Sequence, residues 1–184
     1  MNRPLDVINK DDNIVGMEER EVIHREGLLH REIHIWFYTP KGEIIFQHRA
    51  EDKDVFPDKL DVAVGGHVEV GEDYHITALQ EAREETGLKL EYDDLVYLSK
   101  MIGEYSQPER SIKNIAMRTT YIYLFTGEIS DLKIETGKAI GFESWAIDKL
   151  LNLTEQEKQR FVPFFDHPEW PMVVEYIQKQ LSLK

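Results

Sequence analysis

Gly66-His67-Val68-Glu69-Val70-Gly71-Glu72, followed after seven residues by Gln80-Glu81-Ala82-Arg83-Glu84-Glu85-Thr86-Gly87-Leu88, decides how this chain reads. A glycine-bounded loop runs into a helix expected over about Asp73–Thr86, where Glu81, Glu84 and Glu85 stand at i, i+3 and i+4. That spacing crowds three carboxylates on one face, while Ala78, Leu79 and Ala82 supply a face that can pack. Like charges four residues apart cost a helix roughly a few tenths of a kcal/mol per pair. A helix that gathers them calls for a cation. Clustered carboxylate oxygens suit Mg²⁺ or Mn²⁺, which combine a few carboxylates with waters and substrate phosphates. The plainer alternative is a solvated acidic face ended by Gly87 as a helix cap. It leaves Gly65-Gly66, Gly71 and Glu72 unexplained at their spacings.

The chain as a whole sets bounds. Its 184 residues, 41% hydrophobic and 31% charged, read as one domain over 1–184 with a real core. Absence of cysteine excludes disulfides, thiolate zinc sites and a cysteine nucleophile. The N-terminal residues show no apolar signal core and no run approaches a membrane span, so a cytoplasmic protein is expected. A net charge of −13 argues against a nucleic-acid polymer as partner. A small anionic substrate stays admissible, because a bound metal reverses the field locally. A homodimer is left open.

No repeat or linker interrupts the chain; an N-terminal strand segment is expected before the core and a C-terminal helix after it. Arg31–Tyr38 reads as a strand, Ile33, Ile35 and Phe37 alternating with His34, Trp36 and Tyr38, and Pro40-Lys41-Gly42 turns it into a second strand at Glu43–His48. Leu60–Val64 is expected as a short strand leading into the glycine loop. Leu95–Tyr105 and Asn114–Phe125 read as a long antiparallel pair, with Ile140–Ala146 as the last strand. Helical segments follow near Ile147–Leu151, Thr154–Arg160 and Pro171–Leu181, and Phe161–Phe165 reads as packing for the last helix. Strands on both sides of one acidic helix suit a mixed sheet with helices on both faces.

The opening stretch resembles the Nudix box: Gly, five residues, Glu, seven residues, Arg-Glu, an aliphatic, any residue, Glu-Glu, any residue, Gly, aliphatic. One fixed position departs, Gln80 standing where the family has Arg, and Ala82 is a small version of the aliphatic. The resemblance implies an α/β fold, an α/β/α sandwich with a mixed central sheet over roughly Arg31–Leu150. It also implies metal-dependent hydrolysis of a nucleoside diphosphate linked to another group. Glu81 and Glu85 are then the best Mg²⁺ or Mn²⁺ ligands, Glu84 a third, with the Gly65 or Gly66 carbonyl facing the same ion. Glu72 supports the cluster through Gln80, and one of the helix glutamates could instead be the general base. For the glutamate that many members add from a later loop, Glu104 and Glu109 are candidates.

The layout of Leu28–Trp36, Gln47-His48-Arg49, Lys53, Phe56-Pro57 and Val64–His67 is similar to hydrolases that look like isopentenyl-diphosphate isomerase. That likeness gives Arg49 and Lys53 as contacts to a substrate diphosphate, and matches His24, His30 and His67 to metal-binding histidines. Gly65 replaces the isomerase's cysteine, and its two later glutamates align with Lys113 and Ile115. Isomerase chemistry therefore lacks its acid–base pair. Because glutamine cannot cancel charge as arginine does, a catalytically weak domain that binds a nucleotide or regulates a partner is the alternative to a hydrolase.

Overall fold

Ile33, Ile35 and Phe37 enter one apolar cluster, Trp36 and Tyr38 another, and all five are buried. A strand covered on both faces is the middle layer of a sandwich. The computed structural model describes residues 3–53 and 55–183; Met1, Asn2, Asp54 and Lys184 lie outside them. Strand β3 (His30–Tyr38) runs parallel to β8 (Ile112–Leu124), and β7 (Val96–Gln107) lies antiparallel beyond it. On the other side β3 pairs with β4 (Glu43–Arg49) only at Phe37 and Tyr38. The two strands then part, and β5 (Leu60–Val62) fills in against β4 while β6 (Val64–His67) fills in against β3. β9 (Ala139–Ala146) covers the far edge of β4, which completes a seven-stranded mixed sheet. The expected α/β/α sandwich is thus present.

Leu60–Val64 is not a single strand leading to a loop: the chain changes partner at Ala63, and Gly65-Gly66-His67 is itself strand, opposite His34, Ile33 and Glu32. The divergence of β3 from β4 supplies two separate edges, and local pattern carries no sign of that.

Helix α2 (Tyr74–Thr86) packs Tyr74, Ala78 and Ala82 on one face of the sheet. On the other face α5 (Glu169–Ser182) packs Trp170, Val173, Val174 and Ile177, with Ile147 and Leu150 of the short α3 (Ile147–Leu150) beside it. The Phe161–Phe165 segment joins this second core: Phe164 meets Trp36 edge-on at 5.1 Å between ring centres, and Phe165 meets Trp170 at 5.2 Å. A hairpin of β1 (Pro4–Ile8) and β2 (Ile14–Glu19), then helix α1 (Arg20–Glu26), precede the sheet. Of these the sequence indicates only an N-terminal strand segment; every residue of β2 is exposed and α1 buries only Ile23, so no alternation marks the hairpin or the helix. No helix among the described residues is long and apolar enough to cross a membrane.

Candidate active site

Helix α2 begins where Asp73 accepts a hydrogen bond from the His75 N–H at 2.8 Å, and it ends at Gly87. With Ala78 and Ala82 against the sheet, Glu81 and Glu85 come to lie beside β6. The approach is tight: a Cβ on Gly66 would stand 2.5 Å from Glu81 Cδ. Only glycine lets the carboxylate lie there, which is the physical content of that glycine in the pattern.

Glu85 is 4% exposed and accepts from Gln47 Nε2 at 3.2 Å and from the Gly65 N–H at 3.3 Å. Burial pushes its pKa up to about 8, against the nearby charge of Lys138. Glu81 is also raised by burial, with Lys138 again opposing. Glu84 is the exposed member of the three and faces the same cleft. Glu72 lies just before the helix. With the Gln80 amide turned so that its nitrogen faces Glu72, it donates to both carboxylate oxygens at 3.1 and 3.2 Å. Thr77 Oγ1 donates to the same carboxylate at 2.9 Å.

These groups line a cleft of about 1430 Å³ that runs past the end of β6 to the α5 side of the sheet. Arg49 reaches it, but its guanidinium is committed to the Val55 and Phe56 carbonyls and to Asp61 at 3.0 Å, so it pins the 50–59 loop. Lys53 is half-buried on the same rim, its pKa lowered by burial and then by the charges of Arg49 and Lys138. Glu104 on β7 lines the cleft, whereas Glu109 sits in the exposed turn between β7 and β8 and does not. The residue that meets the acidic helix from a later loop is Lys138, whose ammonium lies 3.5 Å from Glu81, 3.4 Å from Glu85 and 2.9 Å from Glu135. Neither Lys138 nor Glu135 was a candidate in the sequence, since no spacing ties them to the box. Arg3 was missed as well; it pairs with Glu69 and feels the charges of Glu84 and Glu81.

A model of the NUDIX domain matches residues 28–165. This chain belongs to the Nudix family. An uncharacterized Nudix hydrolase of Clostridium acetobutylicum is 26% identical over 83% of this chain and 74% of its own length. One from Streptomyces coelicolor is 40% identical over 45% of this chain. Nudix hydrolase 3 of Arabidopsis thaliana is 25% identical over 97% of it. The chain spans only 46% and 24% of the latter two. Among solved structures, DR0079 of Deinococcus radiodurans shares the fold with a TM-score of 0.67 at 21% identity, over 96% of this chain and 98% of the other. The NUDIX domain of Shewanella oneidensis NrtR, complexed with ADP ribose, matches at 0.56 and 15%, covering 84% and 88%.

This Nudix domain carries a second cluster at the other end of β6. His24 of α1, His30 of β3 and His67 of β6 bring ring nitrogens within 4.8 Å of one another. His24 Nε2 and His67 Nε2 are 3.1 Å apart, and the buried Nε2 of His30 has no hydrogen-bond partner. Burial holds His24 at about 4 and His67 well below the usual imidazole range, so both are neutral at pH 7. Glu32 completes the group, 3.4 Å from His67 and 3.6 Å from His30, steadied by Asn114 at 2.8 Å and Arg118 at 3.2 Å. Three imidazoles with one carboxylate are a donor set that can hold a borderline divalent ion.

Proposed function

We propose that this Nudix domain is a metal-dependent hydrolase that cleaves the diphosphate linkage of a nucleoside diphosphate or a small molecule linked to one. The observation that carries the reading is the carboxylate set Glu81, Glu84 and Glu85 on one helix face, one of them buried, opening into a cleft edged by Lys53 and Lys138. Three carboxylates sharing one helix face and one cleft suit Mg²⁺ or Mn²⁺, and Glu81, Glu85 and Glu84 would hold it with a Gly66 carbonyl. Such an ion shields phosphate charge and makes a bound water more acidic. Gln47 and the Gly65 N–H fix Glu85 in one orientation, and Glu72 with Gln80 steadies the start of the helix. One of the three could instead take a proton from attacking water, and Glu84, exposed to the cleft, is the best placed to do so. Lys53 meets the diphosphate, while Arg49 contributes charge and holds the loop that carries Lys53.

Two neighbours lend the nucleotide class support: the NrtR domain holds ADP ribose, and a Francisella tularensis protein named for ADP ribose pyrophosphatase activity holds AMP and a Mn ion. The decisive experiment is a panel of nucleoside diphosphates, ADP-ribose and related diphosphates with Mg²⁺ and with Mn²⁺. Turnover abolished by EDTA is expected; full turnover in excess EDTA overturns the mechanism. A second reading, a nucleotide-binding module with little turnover, draws on Gln80 in the box and predicts binding without hydrolysis across that panel. Isomerisation of isopentenyl diphosphate is expected to be undetectable, because Gly65 offers no thiol where a side chain would have room.

A further inference from the structure

We propose that Lys138 is an exchangeable counter-ion: it holds Glu81 and Glu85 together without metal, then yields them to the divalent ion and turns to the substrate's diphosphate. This rests on the hydrolase reading above. Placing Glu85 and Glu81 side by side under β6 without a cation is costly, and Lys138 is the cation that both side chains meet. Its distances to them, 3.4 and 3.5 Å, exceed the roughly 2.7–2.9 Å of a formed charge-assisted hydrogen bond. The ammonium is therefore shared between Glu81 and Glu85 and not locked to either; its shortest contact is Glu135 at 2.9 Å, a partner it can keep while leaving both helix carboxylates.

The backbone beneath it is fixed. Gly137, at φ +82°, turns the chain into β9; the Lys138 carbonyl accepts from the Ala50 N–H at 3.2 Å; and Ala139 pairs with Arg49. The Lys138 side chain is 34% exposed, so its flexible stem has a way into the cleft. A divalent ion on the same oxygens and the ammonium are like charges in one pocket, and their repulsion drives the lysine off. The junction at Ala50 that holds Lys138 also holds the turn leading to Lys53, whose N–H donates to the Ala50 carbonyl at 3.3 Å. The displaced ammonium thus joins Lys53 on the rim, where a compact point charge suits a phosphate oxygen.

Mn²⁺ titration by calorimetry without substrate, on wild type and on Lys138→Met, reads the first half of the exchange. Removing the competing charge is expected to tighten Mn²⁺ by about tenfold. Pyrophosphate titrated into the Mn²⁺-loaded proteins reads the second half, with weakening by about tenfold or more in the variant. Lys138→Gln, which keeps hydrogen-bonding capacity, is expected to behave alike and serves if the methionine variant does not fold. Unchanged or weaker Mn²⁺ binding overturns the proposal. So does tighter Mn²⁺ with unchanged pyrophosphate binding, the signature of a static neighbour. Wild-type protein that binds Mn²⁺ but gains no pyrophosphate affinity also overturns it. Failure of wild type to bind Mn²⁺ at all would instead strike at the hydrolase reading itself.

Discussion

Glu85 and Glu109 carry the same charge in opposite settings, one sealed under β6 and the other in an exposed turn. Glu85→Gln keeps the shape and the hydrogen bonds from Gln47 and Gly65 within reach. It removes the charge that would hold a metal, which is worth several kcal/mol or about a thousandfold in rate. Glu109→Gln is expected to change stability by less than about 0.5 kcal/mol and turnover little. Steady-state kinetics on both variants check this, and equal turnover for Glu85→Gln and wild type removes α2 from the mechanism. Gln80→Arg belongs to the same scale. Gln80 is exposed and its amide faces Glu72, so a guanidinium there would pair with Glu72 bidentately at little desolvation cost. The expected result is a kcat kept or raised and a lower metal concentration at half-activity. A tenfold or larger loss in kcat/KM, with the fold intact, would show a site rebuilt around glutamine.

Among elements, β6 is decisive because it touches both candidate clusters. Its Gly66 admits Glu81 and its His67 meets His24 and Glu32. Gly66→Ala puts a methyl where Glu81 now lies, while the strand remains paired to β3. Displacing the Glu81 carboxylate by about 1 Å is expected to cost roughly a hundredfold in kcat, with circular dichroism unchanged. An alanine variant as active as wild type would mean that Glu81 does not need its present place. The glycine spacing is legible in the sequence as part of the box. It does not tell that Gly66 belongs to a strand, since pairing with β3 is a long-range event. The N-terminal hairpin shows the same limit from the other side: an exposed β2 has no buried face, so no alternation marks it.

For the whole molecule, the metal-free fold should sense pH through Glu85. Its folded pKa of about 8 lies above the ordinary carboxylate value of 4.5. Stability from the retained proton is full below 4.5 and lost as pH rises through 8. His24, lowered by burial to about 4, works the other way: its contribution is present above 6.5 and lost as pH falls toward 4. The Glu85 effect therefore stands clearest between pH 6.5 and 8. At about 1.4 kcal/mol per pKa unit, part of the shift amounts to a fall of several degrees in Tm over that window. Thermal unfolding in EDTA should show this fall in wild type and a flatter profile in Glu85→Gln, and Mg²⁺ should restore wild type at pH 8. A wild-type Tm that rises across the window without metal contradicts the buried, protonated Glu85.

By itself the sequence determined the family, the acidic helix and the two-faced β3, because helix and strand periodicities are local: side chains at i, i+3 and i+4 share a face whatever surrounds them. It also marked Gly66 and the tie between Glu72 and Gln80, both within the box. What stands opposite those acids was decided only by tertiary structure. Lys138 reaches Glu85 from 53 residues away and His24 reaches His67 across 43. Arg49 turns its guanidinium toward the 50–59 loop because that loop folds back over it. Such meetings depend on which strand each segment pairs with, and strand partners are chosen by burial across the whole sheet and not by residues adjacent in the chain.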